Sequence, residues 1–435
     1  MSRPNGAWSR ASQLAAATPD SRNRYVDFLR ALSICMVVVG HWLVAAPYLV
    51  DGHLNLTGNM LESRPWTQWL TWLFQVMPVF FMVGGYSNGV SWRSAVRDGR
   101  GYSEWLSGRL QRLVGPILPL LTVWALLALA GRQVGIDADL VKTGSQMALV
   151  PVWFLAVYVG VVVVVPLTHA AWRRFGLSSF WFLLAAVVLD DVLFFNDVRA
   201  LGWFNYAFIW LAVHQLGYAW LDGKLGGSGK TLLWGASALV LLLVLVQFGP
   251  YPLSMVSVPG EEISNSLPPK LPMLLLGIAQ CGLLLALEQP ARRWLSQLRP
   301  WTAAVLINGM IMTVFLWHLT AAMLVISVAI VLDGVGLEVD PGSGLWWMLR
   351  PVWLSVYVVV LLGLIVVFLR FERAGKARTV AAWRQLIGAA LVCAGLSLLA
   401  LMGIGGEGGM TPSIWIVLLP FVGAAVTGVN PLRRM

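Results

Sequence analysis

The sequence is poor in charged residues. Asp, Glu, Lys and Arg make up only 11% of its 435 residues, whereas 58% of the residues are hydrophobic. A soluble domain has roughly 25% charged residues, so this chain has too little polar surface to cover a body exposed to water. The scarcity excludes a cytosolic enzyme, a nucleic-acid-binding domain and a disordered protein, and it favours a polytopic membrane protein.

Cysteine is also scarce, and all three cysteines, Cys35, Cys281 and Cys393, lie within apolar stretches. No disulfide framework is therefore predicted on the outer side. None of the three has a partner at the spacing of a metal site, so no metal ion is predicted. We expect the thiols to act as small apolar side chains.

Long apolar stretches account for most of the chain. A helix needs about 20 apolar residues to cross the hydrocarbon core of a membrane, and twelve stretches approach or exceed that length. They lie approximately at residues 30–50, 67–90, 110–130, 147–168, 178–195, 201–221, 231–248, 271–287, 302–332, 346–370, 385–405 and 412–428. The sequence therefore predicts an all-α polytopic membrane protein with about twelve transmembrane helices.

The Lys and Arg residues that give the net charge of +10 are concentrated in the predicted loops on one side of the membrane. If residues 1–30 lie inside the cell and the sides alternate, all but six of the 30 Lys and Arg residues fall in inner segments. The six in outer segments are Arg64, Arg132, Lys142, Arg199, Lys270 and Arg350. Such an excess is typical of the cytoplasmic side. We therefore predict a plasma-membrane protein with both termini in the cytoplasm, and no nucleic-acid partner.

Ionisable side chains inside a membrane are costly and usually have a function. His41 lies well inside the first predicted span, eleven residues after Arg30. Eleven residues rise about 16 Å along a helix and return nearly to the same face. Arg30 would then lie at the cytoplasmic surface, with His41 above it near the bilayer midplane. This spacing suits coenzyme A, with a phosphate at Arg30 and the reactive end at His41.

Arg109 and Arg112 form a second basic feature, at the cytoplasmic end of the third span. Residues three apart share a helix face, so the two guanidinium groups could bind phosphate oxygens together. The alternative is that they only anchor the span at the interface. Asp27 could pair with Arg30 or Arg24. It lies about 21 Å from His41 along a helix, so another helix must orient that imidazole.

The remaining candidates each have a packing alternative. His318 could position an acceptor or form a polar packing pair with Trp317. His214 is expected to satisfy a hydrogen bond between helices. Three further side chains could support the acceptor side or simply pack between helices: Tyr86, Asn88 and Trp153.

Four segments resemble the integral-membrane acyltransferase-3 proteins, which include bacterial O-acetyltransferases of surface polysaccharides, antibiotics and lipids. They are the run Tyr25–Arg30 followed by His41, the run Phe80–Asn88, the pair Arg109 and Arg112, and the run Phe315–His318. The chain departs from the family pattern at residues 84–86, which are Gly-Gly-Tyr where Ser-Gly-Phe-type residues are usual. It also has two more predicted spans than the family core of about ten.

The resemblance implies transfer of an acyl group, often acetyl, from cytoplasmic acyl-CoA to a hydroxyl of a glycan, lipid or small-molecule acceptor. His41 would act as the general base, because an imidazole can take a proton near neutral pH, with an acyl-histidine intermediate as the alternative. His318 would be a second catalytic residue. Acyl-CoA would be a co-substrate at Arg30, Arg109 and Arg112, and no permanently bound cofactor is expected.

The apolar pattern and the resemblance together predict a domain organisation. Residues 1–24 are expected to be a polar, mobile tail, residues 25–370 the membrane acyltransferase core, and residues 371–435 two additional membrane helices with a short tail. The core would act within the lipid bilayer on its donor and acceptor.

Two other functions are compatible with the pattern of spans. Twelve spans with both ends inside are common in secondary transporters, and residues 97–100 are faintly like a basic loop of major-facilitator carriers. Residues 91–94 lack the Gly and Asp of that pattern, and no carboxylate lies clearly inside a span. A non-catalytic scaffold would leave the spacing of Arg30 and His41 unexplained.

Overall fold

The computed structural model describes residues 6–19, 21–50, 53–372, 378–405 and 410–430. Residues 1–5 and 20 of the predicted tail, and residues 373–377, 406–409 and 431–435 of the predicted C-terminal region, lie outside these ranges. The described residues form twenty α-helices. In chain order they are α1 Ala7–Ala16, α2 Arg24–Val44, α3 Met60–Ser63, α4 Thr71–Phe74, α5 Met77–Arg97, α6 Tyr102–Val114, α7 Ile117–Gln133, α8 Ala138–Leu149, α9 Val152–Val163, α10 Val165–Phe175, α11 Ser178–Phe195, α12 Asn205–Leu221, α13 Ser228–Phe248, α14 Leu271–Ala286, α15 Glu288–Leu295, α16 Leu298–Asn308, α17 Ile311–Val331, α18 Gly344–Glu372, α19 Ala382–Met402 and α20 Met410–Thr427.

Short elements join some of these helices. The strands β1 Tyr48–Val50 and β2 His53–Asn55 pair in antiparallel register. Two 3₁₀ helices occupy Pro65–Leu70 and Arg199–Phe204.

The helices make this an all-α polytopic membrane protein. Among the described residues, eight helical segments are long and apolar enough to cross a membrane, and two of them, Pro65–Arg97 and Tyr102–Gln133, each combine consecutive helices. The number rises to ten if two bent pairs each count as one span: α8 with α9, bent by 45°, and α14 with α15, bent by 55°. Each of the twelve predicted stretches overlaps a helix. The count of twelve, and the cytoplasmic placement of the termini, stay predictions.

The start of the chain differs from the predicted polar tail, because residues 7–16 form helix α1. Ala11 and Ala15 are four residues apart and therefore share one face of the helix, and both are buried. Ala15 packs in a cluster with Trp301 and Ala304 of α16. A stripe of single methyl groups carries little hydrophobic signal in the sequence, although it allows two helices to approach closely.

Residue contacts divide the chain into two compact units. The first, called unit 1, comprises Met1–Gly40, Trp66–Arg93 and Val165–Ile311. In its interior α5 meets α12 at Gly85 and Gly217. A Cβ atom at either glycine would overlap the facing backbone, at His214 and at Met82 respectively. Glycine is therefore required at both positions for this close approach.

The connection between α13 and α14 is an ordered part of unit 1. Asn265 donates hydrogen bonds to the carbonyl oxygens of Pro252, at 2.7 Å, and Ser254, at 2.9 Å. Tyr251 donates to a carboxylate oxygen of Asp191 at 2.8 Å. These bonds tie the loop both to itself and to α11.

The second unit, called unit 2, comprises His41–Pro65, Ser94–Val164 and Met312–Met435. Helix α19 is bonded within it to helices that precede it by more than 200 residues. Gln385 donates to the carbonyl of Ser103 at 2.8 Å and to the hydroxyl of Ser107 at 2.6 Å. Cys393 donates to the carbonyl of Ala156 at 3.1 Å. The C-terminal helices therefore belong to the packing of unit 2.

Candidate active site

Two histidines of unit 2 contact each other directly. His41 extends from α2 and is half-buried, whereas His318 extends from α17 and is fully buried. Nδ1 of His41 lies 2.8 Å from Nε2 of His318. The ring centroids are 5.1 Å apart and the rings are within 6° of parallel. His318 is thus the residue from another helix that the sequence requires to orient His41.

The hydrogen bonds determine which nitrogen of each ring carries the proton. Nδ1 of His318 lies 2.7 Å from the carbonyl oxygen of Phe315. A carbonyl can only accept, so Nδ1 of His318 carries the proton and its Nε2 is an acceptor when the ring is neutral. Nδ1 of His41 must then donate, which leaves Nε2 of His41 with a lone pair. Within the described residues, that Nε2 makes no hydrogen bond.

Residues around the pair fix both helices. The indole of Trp42 donates to the carbonyl oxygen of His318 at 3.0 Å and so joins α2 to α17. Beyond Trp42, the guanidinium of Arg350 donates to the carbonyl of Ala45 at 2.9 Å and stacks on Trp346 at 3.6 Å. Arg350 is buried in α18. It therefore holds the chain where α2 ends, one turn beyond His41.

The start of α17 is capped by a carboxylate from α18. Glu372 accepts hydrogen bonds from the backbone nitrogens of Met312, at 3.0 Å, and Thr313, at 2.9 Å, and from the Thr313 hydroxyl, at 2.6 Å. A carboxylate at a helix N-terminus satisfies otherwise unpaired N–H groups and complements the helix dipole. This cap sets the position of the helix that carries His318.

Aromatic contacts position the segment around His318. Phe315 packs edge-on against Phe154 of α9, with ring centroids 5.5 Å apart. Trp317 stacks on Phe368 of α18 at 3.7 Å. Trp153 precedes Phe154 in α9, and their rings meet edge to face at 6.3 Å. Trp153 thus lies beside a residue that contacts the His318 segment, and its supporting role stays a prediction.

In unit 1, Arg30 is held by two side chains. Its Nη2 donates to Asp27 at 2.9 Å, and its Nε donates to the amide oxygen of Asn308 at 2.7 Å. The other carboxylate oxygen of Asp27 pairs with Arg22 at 2.6 Å. Of the two partners that the sequence offered Asp27, the structure therefore selects Arg30. The third guanidinium nitrogen of Arg30 has no partner among the described residues, and the side chain is 31% exposed.

Arg109 and Arg112 lie in the last two turns of α6, just before the break at Pro116 that separates α6 from α7. The guanidinium of Arg109 lies 5.7 Å from the centroid of the Trp105 ring, and Arg112 is exposed. Their assignment as phosphate ligands stays a prediction.

Tyr86 and Asn88 make contacts inside unit 1. The Tyr86 hydroxyl accepts a hydrogen bond from Asn23 at 3.1 Å, and its ring packs against Trp220 at 4.7 Å. The side-chain nitrogen of Asn88 lies 3.1 Å from Nε2 of His214, and both residues are buried. His214 thus forms the hydrogen bond between helices that the sequence predicts. The roles of Tyr86 and Asn88 toward an acceptor stay predictions.

The family model of an acyltransferase domain matches residues 23–370. The chain belongs to the acyltransferase-3 family. The resemblance in its sequence is confirmed, and the protein is a membrane acyltransferase. Comparisons with curated proteins and with solved structures returned no match.

The family match includes both histidines and the three arginines that the sequence singled out in this acyltransferase. It ends at Arg370, before α19, although α19 is bonded within unit 2 through Gln385 and Cys393. Three residues that support the candidate site were missed by the sequence analysis. Asn308 and Glu372 gave no signal, because each acts on a helix from which it is separated in sequence. Arg350 does give a signal, since it is an arginine flanked by apolar residues, but the alternating pattern of spans places it in an outer segment.

Proposed function

We propose that this membrane acyltransferase moves an acetyl or similar acyl group from acyl-CoA to a hydroxyl of a cell-envelope carbohydrate, lipid or small molecule. The observation that carries the proposal is the contact between His41 and His318. It leaves one imidazole nitrogen with a free lone pair on a ring whose orientation is fixed. A hydroxyl needs such a base because it is a poor nucleophile until its proton is removed.

In the proposed mechanism, Nε2 of His41 takes the proton of the acceptor hydroxyl. The oxygen then attacks the thioester carbonyl, and a tetrahedral intermediate forms. Its collapse breaks the carbon–sulfur bond, and the departing CoA thiolate takes the proton back from His41. His318 accepts the Nδ1–H of His41 throughout, which stabilises the imidazolium when it forms.

Arg30 is proposed to bind a phosphate of the donor. Its Nε and Nη2 are fixed by Asn308 and Asp27, and Nη1 is left for a ligand. Arg30 and His41 share helix α2, so the length of α2 between them, about 16 Å, is covered by the pantetheine arm. Arg109 and Arg112 are proposed as further phosphate ligands.

We also propose that the protein lies in the plasma membrane with both termini in the cytoplasm. The support is the distribution of Lys and Arg among the predicted loops. Acyl-CoA would then reach Arg30 from the cytoplasm.

The test uses purified full-length protein in detergent with radiolabelled acetyl-CoA. Wild-type protein should release CoA, by hydrolysis or by transfer to a hydroxyl acceptor. His41→Ala should lower the rate by roughly 10²- to 10⁴-fold, the usual contribution of a general base. Arg174→Gln, an exposed charge change in α10, is the control and should keep the wild-type rate. Undiminished turnover in His41→Ala at normal protein level would contradict the assignment.

The same assay separates an enzyme from a secondary transporter. A transporter would neither bind acetyl-CoA nor release CoA from it. No CoA release by folded wild-type protein with a panel of hydroxyl acceptors would therefore overturn the proposed reaction.

A further inference from the structure

Unit 1 contains a pocket that shares no residue with the proposed acyl-transfer site. It has a volume of about 580 Å³, which is within the range of small-molecule sites. It lies where α5, α10 and α12 approach their C-terminal ends. Its lining residues are Arg93, Trp172, Arg173, Gly176, Leu177, Asp222 and Lys224.

One wall of the pocket is a closed hydrogen-bond network. The guanidinium of Arg93 forms two parallel bonds to the carboxylate of Asp222, at 2.6 and 2.9 Å. Trp172 donates to the same carboxylate at 2.7 Å. Nε of Arg93 donates to Nε2 of His169 at 3.0 Å. Because every member has a partner, the wall is fixed in one geometry.

The network is electrically balanced. The hydrogen bonds from Arg93 hold the pKa of Asp222 below its usual value, so this carboxylate is ionised. Burial, together with the positive charges of Arg93 and Arg173, lowers the pKa of His169 and favours its neutral form. The single positive charge of Arg93 is therefore matched by the single negative charge of Asp222.

Because the charges of Arg93 and Asp222 cancel, Arg173 and Lys224 give the pocket a net positive charge. Both side chains line the pocket and are exposed. Neither forms an ion pair with any residue in the described part of the chain. Two neighbouring cations in a pocket with a fixed wall are complementary to a phosphate, because each N–H group can donate to a different oxygen.

The two cations are not required to cap the helices on which they lie. Gly176, in the left-handed region at φ +53°, donates its N–H to the carbonyl of Trp172 at 2.7 Å and caps α10. At the end of α12, the N–H of Lys224 reaches the carbonyl of Ala219 at 2.8 Å, with Gly223 also left-handed at φ +64°. These backbone bonds satisfy the carbonyls of Trp172 and Ala219 without using either cationic side chain. Arg173 and Lys224 are thus available to a ligand.

The pocket lies at the same end of unit 1 as the start of α2. Trp220, two residues before Asp222, packs edge-on against Tyr25 with ring centroids 6.1 Å apart. Both the pocket and the N-terminal turn of α2 are therefore at one face of unit 1, the face that the distribution of basic residues assigns to the cytoplasm.

We propose that this pocket binds a phosphate-bearing group through Arg173 and Lys224, against the wall formed by Arg93, Asp222 and Trp172. The group belongs either to an anionic lipid headgroup, since the distribution of basic residues places these helix ends at the cytoplasmic interface, or to a soluble nucleotide, for which adenosine 3′,5′-bisphosphate is the probe. The site is defined by binding alone, so it does not depend on acyl transfer.

The experiment compares two double variants of the full-length protein in nanodiscs. Arg173→Gln with Lys224→Gln removes the two pocket cations. Arg174→Gln with Lys230→Gln is the control, because it removes the same charge from exposed positions that do not line the pocket. In the first arm, adenosine 3′,5′-bisphosphate is titrated by calorimetry into protein in phosphatidylcholine nanodiscs. In the second arm, phosphatidylglycerol is added to the nanodiscs, and bound lipid is counted by native mass spectrometry.

The pocket variant should lose affinity in one arm by roughly tenfold to a hundredfold, as expected when hydrogen bonds to a charged group are removed. The control should bind as wild type does, and the affected arm identifies the source of the phosphate. Equal binding by both variants in both arms, equal loss in both variants, or no binding by the wild type would overturn the proposal. Acetyl-CoA turnover of the wild type, measured separately, keeps this result distinct from that of the proposed reaction.

Discussion

Nε2 of His318 lies 2.8 Å from Nδ1 of His41, in rings that are within 6° of parallel. The carbonyl of Phe315 holds the proton of His318 on its far nitrogen, so His318 is the acceptor in this contact. The hydrogen bond of the pair therefore runs from His41 as donor to His318 as acceptor. His318 orients His41 through this contact, and in the proposed mechanism Nε2 of His41 is the nitrogen that takes the proton of the acceptor hydroxyl.

Replacing His318 with Phe should lower kcat and leave the KM for acetyl-CoA nearly unchanged. The aromatic ring fills the space but cannot accept the Nδ1–H of His41. We expect a fall of roughly 10- to 100-fold, by analogy with the range seen when a group that orients a metal-bound histidine is removed. His318→Gln offers an amide oxygen as acceptor and should recover part of kcat. If the two variants lose activity only in proportion to folded protein, His318 is a packing residue.

Arg30→Gln should change KM and leave kcat nearly constant, the opposite of the pattern expected for His318→Phe. It should raise the KM for acetyl-CoA by roughly tenfold or more, because hydrogen bonds between charged groups contribute about 1.5–3 kcal/mol, and it should change kcat little. Arg22→Gln is the matched control, since Arg22 also pairs with Asp27 but is 54% exposed. Steady-state kinetics over a range of acetyl-CoA concentrations gives both constants. A fall in kcat with constant KM would contradict a role in donor binding.

How far the sequence predicts the site depends on the separation of the partners. The pairing of Asp27 with Arg30 follows from their spacing on one helix, and the structure confirms it. The need for a group from another helix to orient His41 also follows from distance along α2. The identity of that group does not, because His318 is 277 residues away in sequence. Only the packing of α17 against α2, joined by Trp42, brings the two rings together.

In the fold, too, local features can be predicted from the sequence, whereas contacts between distant residues cannot. Composition and apolar runs predict the helices of the membrane domain, since burial in lipid requires long apolar segments. Helix α1 is different, because its buried face consists of alanines and is stabilised by Trp301 almost 300 residues later. Likewise, Glu372 is unremarkable in the sequence until the structure places it at the N-terminus of α17. Such contacts depend on tertiary packing and leave no local pattern.

Removing the cap on α17 should destabilise unit 2. Glu372→Ala leaves two backbone N–H groups and the Thr313 hydroxyl without their acceptor. We expect a loss of about 1–2 kcal/mol, the usual cost of losing a helix cap. The measurement is thermal unfolding in detergent, with Glu338→Ala, an exposed carboxylate outside the helices, as the control. Equal melting temperatures for the two variants would show that Glu372 does not stabilise the start of α17.

Gly217→Ala should destabilise unit 1 strongly, although it adds only one methyl group. A Cβ at Gly217 would overlap the backbone of Met82, Gly85 and Tyr86, so α5 and α12 would have to separate at a cost of about 1–3 kcal/mol or more. Gly363→Ala on α18 is the control, because a Cβ there meets no atom within 4 Å. Alanine favours a helix over glycine by up to about 1 kcal/mol, so the control should be neutral or slightly stabilised. Fluorescence-detected size-exclusion chromatography after heating measures both, and an unchanged melting temperature for Gly217→Ala would contradict the close approach of α5 and α12.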